Sequence, residues 1–361
     1  MRPVAVLVAI LVSFTPARAQ RAAISNTPDT PFKLATFEAA GKTRVGLVLG
    51  GRVLDIAGAN AELAQKAGLP AVRVPGDMRT LIEEYARVSP RLYQIANYFK
   101  AASLDAAPFA FDVDKVLVKA PIKYPYNLLA AAANYRSHAG EMFARGSAQA
   151  EAANAADPDK TDPVMFAKSP RSCIIDPGEP YDITPGRNID WEGELAVVMG
   201  TPARNVPEAK AHDHVFGYSV IYDVSDRGGT GQRPLTAMFQ GPNWFAGKSR
   251  DRSAPFGPFI VPKEFMPHHA SLRIVTKVNG VVKQDGNTKD LIWDEAHLIR
   301  YLSSMLTLYP GDVIMTGTPD GVGAGRQPPE FLKPGDVVTI EIDGIGMLRT
   351  PMRAAAAPGT R

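Results

Sequence analysis

The chain has 361 residues, 45% of them hydrophobic and 21% charged, which suits one large or two modest domains with a substantial core and excludes global disorder. A formal net charge of +3 and an aromatic content of 8% give no case for nucleic acid or an anionic membrane as partner. The single cysteine, Cys173, excludes an internal disulfide framework.

Arg2, an unbroken apolar run over 4–12, Pro16 and Ala17-Arg18-Ala19 predict a secretory signal peptide over 1–19, cut after Ala19. The run is too short to span a bilayer. With Arg2 and Arg18 removed from the 40 basic residues, 38 remain against 37 acidic. The expected product is exported, periplasmic or secreted, with no membrane attachment. Residues 20–31 are polar and read as a flexible lead. Short strands are expected over 32–37, 43–49 and 52–56, the last reached through a tight turn at Gly50-Gly51. Helices follow over 59–68 and 78–102, the second interrupted at Ser89-Pro90. Together 32–115 form a small N-terminal α/β domain that carries no visible chemistry and supports the larger one.

The second domain is expected over 116–353. A β-type run at 116–120 leads to an apolar segment at 127–133 that ends at Asn134. Residues 144–162 are rich in Ala, Asp, Gln and Ser, so 134–162 is a candidate lid. From 163 onward short strands dominate. Asn279-Gly280 marks a hairpin between 275–278 and 281–283, residues 293–306 have the apolar spacing of an amphipathic helix, and 313–315 and 337–342 read as further strands. The tail after Met352 is expected to fray.

One stretch carries most of the chemistry. Residues 190–199 read as a strand, and Glu192 and Glu194, two apart, would leave the same face. Two like charges entering an apolar sheet are costly unless neutralised, and a divalent cation is the simplest neutraliser; a solvated strand end is the alternative. Residues 217–223 form a second strand candidate that ends in Asp223. Three carboxylates would suit Mg²⁺, Mn²⁺ or Ca²⁺ rather than zinc, and would leave about three of six octahedral positions open. His138 and Glu141, three apart, share one face of a helical turn, where the carboxylate can orient the imidazole and raise its basicity. Lys168 and Lys248 sit among Gly, Pro and apolar residues, suited either to an anionic intermediate or to pairing with the carboxylates. Thr318, in Gly317-Thr318-Pro319, offers a hydroxyl and turn N–H groups to a substrate carboxylate, or is a plain turn. His212-Asp213-His214 lacks a third ligand in the nearby sequence, and His268-His269 reads as a surface loop.

Six segments in order, Asn134 to Glu141, Pro163 to Pro170, Asp190 to Leu195, Gly217 to Arg227, Gly247-Lys248-Ser249 with Pro255-Phe256-Gly257-Pro258, and Gly317 to Gly323, resemble the fumarylacetoacetate hydrolase family. The resemblance implies an α+β, β-rich fold: a rolled, mixed β-sheet catalytic domain beside the small N-terminal domain, paired as a homodimer. It implies that Glu192, Glu194 and Asp223 hold Mg²⁺ or Mn²⁺, and that His138 with Glu141 activates water. Lys248 is then expected at the substrate, with Tyr135, Arg227, Lys168 and Thr318 as further binding residues. The implied reaction is C–C bond hydrolysis of a small 2-oxo or diketo acid of the acylpyruvate type. Decarboxylation, hydration or isomerisation on the same site, and a non-catalytic exported binder of metal or carboxylate, are the alternatives. The family commonly reads Asp-Val-Ser-Ala-Arg-Asp followed closely by Gln. Here Asp223-Val224-Ser225-Asp226-Arg227 runs into Gly228-Gly229-Thr230-Gly231-Gln232, so the later Asp is lost and Gln232 is the displaced candidate for substrate binding.

Overall fold

The computed structural model describes residues 23–142, 147–148, 151–152, 155–229 and 243–356. The signal peptide at 1–19, the start of the lead, parts of the candidate lid, and Gln232 lie outside the described residues.

The N-terminal unit is built by local signals. Strands β1 (Lys33–Ala39) and β2 (Lys42–Leu49) pair across Ala40-Gly41, both at positive φ, as a two-residue hairpin turn requires. β3 (Arg52–Asp55) follows the Gly50-Gly51 turn. Helix α1 (Ile56–Ala67) is capped by the Asp55 carboxylate on the Ala57 N–H and stops at Gly68 in the left-handed region. Helices α2 (Met78–Glu83) and α3 (Tyr85–Phe99) break at Glu84, not at the expected Ser89-Pro90. Pro90 continues inside α3 because the helix is held by its neighbours. Tyr85 packs edge-on against Phe216 at 4.8 Å, and Val88, Leu92, Ile95 and Phe99 are buried, which offsets the hydrogen bond that proline cannot make. β4 (Ala110–Asp112) and β5 (Leu117–Lys119) complete a five-stranded sheet in the order β4-β3-β2-β1-β5. β5 lies past the expected boundary at 115/116, yet it pairs with β1.

The larger unit begins with β6 (Leu128–Ala132), α4 (Arg136–Met142), β7 (Val164–Ala167), β8 (Ile174–Ile175), β9 (Tyr181–Ile183) and β10 (Ile189–Asp190). Next come β11 (Gly193–Met199), β12 (Val215–Tyr222), β13 (Ser225–Asp226), a helix at Trp244–Lys248, β14 (Ala254–Pro255) and β15 (Val261–Pro262). β16 (Arg273–Val278), β17 (Val281–Asn287), a helix at Glu295–Met305, β18 (Val313–Met315), β19 (Val337–Ile342) and β20 (Gly346–Ala354) close it. A six-stranded mixed sheet runs β15-β12-β11-β18-β6-β7, and a five-stranded sheet runs β17-β16-β19-β20-β9. The α+β, strand-rich architecture is the expected one. The Asn279-Gly280 hairpin and the Asp294-capped helix also fall where the sequence places them.

The six-stranded sheet is the middle layer, and β11 shows why. Leu195, Val197 and Met199 join one core with Ile274, Ile340 and Leu348 of the five-stranded sheet. Ala196 and Val198 join the other core with Leu63, Leu92 and Ile95 of the N-terminal unit. Both faces are therefore buried, and Leu195–Met199 is apolar without interruption. The strand expected over 190–199 is broken at Trp191-Glu192: β10 pairs with β13, whereas β11 pairs with β12 and β18. The buried Trp191 indole, donating to the Gly321 carbonyl at 2.9 Å, fixes that break.

Gly193 sits where the two large sheets meet. A Cβ there would stand 2.3 Å from Thr276 Oγ1 and 2.9 Å from Ile340 Cγ2. Gly193→Ala should thus destabilise the fold by about 1–3 kcal/mol, the usual range for overpacking. Urea unfolding of both proteins checks this through a lower midpoint at similar slope.

Candidate active site

The β11–β12 ladder sets the centre. Gly193 opposes Tyr222, so Glu192 and Asp223 flank the ladder end and the Asp223 N–H donates to the Glu192 carbonyl at 3.0 Å. Glu194 is the second residue of β11. Carboxylate oxygens of Glu192, Glu194 and Asp223 lie within 4.8 Å of one another, and all three side chains are buried.

Such a cluster needs positive charge. Lys248 Nζ donates to Glu192 Oε2 at 2.7 Å, to Asp223 Oδ2 at 2.6 Å and to Ser225 Oγ at 2.6 Å. Lys168 Nζ donates to Asp223 Oδ1 at 2.6 Å. Arg227 bridges Glu192 and Asp190, the latter at 3.0 Å. Burial favours a neutral Glu192, but Lys248 and Arg227 outweigh it and hold the carboxyl well below its ordinary range. Burial, followed by the charges of Asp223 and Glu192, holds Glu194 well above its own. Among the described residues no lysine or arginine pairs with Glu194, whose Oε2 accepts only the Gly317 N–H, at 2.9 Å. One buried carboxylate is thus left for an external cation. The all-oxygen donor set fits Mg²⁺ or Mn²⁺ and accommodates Ca²⁺.

The other expected residues fall around this centre. His138 is buried on α4 and lines a cavity of about 370 Å³, with Glu192, Glu194, Arg227, Lys248 and Thr318. Its Nδ1 is 3.7 Å from Glu141 Oε1 and has no hydrogen-bond partner among the described residues. Glu141 instead accepts the N–H groups of Gly321 and Val322, at 2.6 and 2.9 Å. The two residues share a helix face as expected, but at 3.7 Å they are too far apart for a hydrogen bond. Tyr135 is buried beside the cluster, and burial together with the Glu194 charge raises its phenol. Thr318 Oγ1 donates to the Gly193 carbonyl at 2.9 Å and accepts from Gln284 Nε2 at 2.8 Å, so its hydroxyl braces the strand before it meets any ligand. Asn134 holds β6 to the 293 and 316 segments through the carbonyls of Trp293 and Thr316, at 2.8 and 2.9 Å. Phe166 and Trp244, stacked at 5.3 Å, form an apolar wall.

Sequence reasoning missed Asp190 and Gln284, two buried braces whose partners are distant in the chain. Asp190 accepts from Arg227, Gly323 and Ala324, while Gln284 joins Gly193 to Thr318. It also left His212 without distant ligands. His212 Nδ1 and Tyr218 OH contact Glu295 at 2.9 and 2.6 Å, and His269 Nε2 lies 4.0 Å from the same carboxylate. His214 turns away to Thr201. The third member comes from a helix 83 residues along the chain, beyond the reach of local spacing.

A mixed β-rich fold with three buried carboxylates at the end of its central ladder forms a candidate metal site beside a cavity. Residues 127–353 match the fumarylacetoacetate (FAA) hydrolase C-terminal family model, and the chain belongs to that family. It is 33% identical over 323 residues to the oxaloacetate tautomerase YisK of Bacillus subtilis, a match that covers 88% of this chain and 98% of that one. Among solved structures it resembles a fumarylacetoacetate hydrolase from Exiguobacterium antarcticum, with TM-score 0.66, 30% identity, and 90% and 100% of the two chains covered. It also resembles a maleylpyruvate hydrolase from Sphingobium sp. SYK-6 in complex with manganese(II) and pyruvate, with TM-score 0.63, 25% identity, and 90% and 100% covered.

Glu194→Ala and Asp223→Ala should each weaken Mn²⁺ binding by about 100-fold or more, roughly 2.7 kcal/mol. Calorimetric titration measures it. Unchanged affinity in Glu194→Ala would remove the three-carboxylate site.

Proposed function

We propose that this chain is a metal-dependent enzyme that moves a proton at the carbon next to the carbonyl of a small 2-oxo diacid, with enol–keto tautomerisation of an oxaloacetate-type substrate as its reaction. The carrying observation is a buried imidazole, His138, that lines a cavity of about 370 Å³ with Glu192 and Glu194, two of the three clustered carboxylates. That volume is at the small end for ligand sites and suits a short diacid. The nearly full-length likeness to an oxaloacetate tautomerase supports the choice over C–C hydrolysis.

Glu192, Glu194 and Asp223 would hold Mg²⁺ or Mn²⁺, which when bound polarises a 2-oxo carbonyl as a Lewis acid. The remaining work falls to side chains. His138 takes the proton from C3 of the keto acid, the carbonyl oxygen gains one from solvent and His138 releases its own to solvent, and the reverse steps return the keto form, so no atom is lost or gained. Lys248 and Arg227 keep Glu192 ionised and place positive charge beside the substrate carboxylates. Phe166 and Trp244 exclude water from one side.

Hydrolysis of an acylpyruvate is the second reading, supported by the likeness to maleylpyruvate hydrolase. It would use His138 on water instead of on C–H. Ultraviolet decay of enol-oxaloacetate with Mn²⁺, run beside an acylpyruvate panel, separates the two. Faster tautomerisation with no C–C bond cleaved is expected, and His138→Ala should slow it by roughly 10²–10⁴-fold while Mn²⁺ binding persists. Two acid products at higher kcat/KM would make the protein a hydrolase, release of CO₂ a decarboxylase, and binding without turnover a carrier.

Export and self-association belong to the same proposal, on the strength of residues 1–19 and of the family resemblance. Protein from its native host should begin within a few residues of Gln20 by intact mass and should scatter light as a dimer. A full-length N-terminus in the soluble cytoplasm would overturn export.

A further inference from the structure

The turn Gly321–Ala324 presents four successive backbone N–H groups, and two carboxylates take all four. Glu141 accepts Gly321 and Val322 at 2.6 and 2.9 Å, and Asp190 accepts Gly323 and Ala324 at 2.6 and 3.1 Å. Glu141 stands on α4, three residues after His138, and Asp190 stands two residues before Glu192. Asp190 also accepts from Arg227, which reaches on to Glu192. A continuous chain of polar contacts therefore joins the helix of the imidazole to the carboxylate cluster, and the turn is its middle link.

A seven-residue helix is marginal by itself, so the place of α4 must come from outside it. Glu141 is committed to this task. Two short backbone bonds occupy its two oxygens, whereas His138 Nδ1, at 3.7 Å, receives none. The fit beneath the carboxylate is tight. A Cβ on Gly325 would come within 2.3 Å of Glu141 Cγ and 2.6 Å of Cδ and Oε1, so the side chain lies directly against that glycine. On the opposite side, a Cβ on Gly323 would come within 2.8 Å of Asp190 Oδ1.

We infer that Glu141 is a positioning residue that acts through the Gly321–Ala324 turn, and that Asp190 is its counterpart, so that the turn sets where His138 stands relative to Glu192, Glu194 and Asp223. The inference rests on His138 as the proton-transfer residue of the proposed reaction and assigns Glu141 a different part from that of an imidazole-polarising partner.

Gly325→Ala tests it without removing a charge or a hydrogen-bonding group. The three atoms closest to the added methyl all belong to Glu141, and Gly325 has no positive φ to lose. The full-length protein, Gly325→Ala, Glu141→Ala, the double variant and Asp190→Asn are compared by amide hydrogen exchange, Mn²⁺ calorimetry and steady-state kinetics. In Gly325→Ala, exchange at residues 321–322 and along 136–142 should speed up about tenfold or more, the sign of a local opening made easier. Its kcat should fall by about tenfold or more, KM and Mn²⁺ affinity staying within about twofold, as for loss of an interaction that acts on the chemical step. The double variant should be no worse than Glu141→Ala alone, because the methyl acts only by displacing that side chain. Asp190→Asn puts an amide NH₂ among N–H donors, and should speed exchange along α4, which Asp190 does not touch, as well as weaken Mn²⁺ binding.

Unchanged exchange along 136–142 in Gly325→Ala, or fully additive losses in the double variant, would overturn the inference. The exchange and metal measurements use no substrate. They decide on the turn even if the wild-type protein turns over neither oxaloacetate nor an acylpyruvate, an outcome that would defeat only the proposed reaction. If Gly325→Ala unfolds, Glu141→Ala and Asp190→Asn decide: exchange along α4 must rise in both, and an unchanged rate in either overturns the inference.

Discussion

Three carboxylates held within 4.8 Å of one another in a buried site repel, and much of the larger domain answers that repulsion. At an effective dielectric of about 20, two unit charges 4 Å apart interact by roughly 4 kcal/mol, so the cluster cannot stand uncompensated. Lys168, Lys248 and Arg227 converge on it from three separate segments. They satisfy Asp223 and Glu192 and leave Glu194 with one backbone amide. The unbalanced remainder is the property that would suit a hard divalent cation. It also explains why lysines that look catalytic in the sequence are found bonded to the carboxylates: without them the centre would not fold around its own charge.

The same constraint accounts for the layered build. Glu194 points into the site only while β11 keeps its register, because a slip of one residue would send its side chain to the opposite face. Burial of both faces of β11, against the five-stranded sheet on one side and the N-terminal unit on the other, makes such a slip costly. The N-terminal unit thus contributes to the site without adding a residue to it. Gly193, with no room for a Cβ, lets the two large sheets approach at the very residue between the glutamates.

What the sequence revealed was local in origin. The two-residue spacing of the glutamates, the three-residue spacing of His138 and Glu141, and the turn dipeptide at 279–280 are periodic or short-range signals, and each is present in the structure. What it concealed depended on tertiary partners. Nothing near Asp190 shows that two backbone amides from a turn more than 130 residues later will reach it. Gln284 lies on a strand whose other residues are exposed or half-buried, and only its distant contacts mark it. The break at Trp191-Glu192 follows from an indole hydrogen bond that no propensity encodes. Pro90 misled in the opposite way: a strong local breaker was overruled by the packing of α3. His269 and Glu295 reach His212 for the same reason, through contacts that loop spacing cannot foresee.

The departure at 223–228 shows how centre and wall divide the work. Asp223, Ser225 and Arg227 are tied into the carboxylate network, and the chain keeps them. Asp226, between Ser225 and Arg227, stands where the family commonly has alanine, and the acid that commonly follows the arginine is absent. Asp226 is buried and lines the cavity, yet its charge is met by Arg250 at 2.5 Å and Arg187 at 3.6 Å, and its other oxygen accepts the Gly228 N–H at 2.8 Å. The substitution therefore comes with its own counter-charges, Arg187 and Arg250. Enolate-forming reactions of 2-oxo acids can share one centre of carboxylates, lysines and a single base. Residues such as Asp226, Phe166 and Trp244, which line the cavity, would then face the remainder of such a substrate and be where one reaction parts from another.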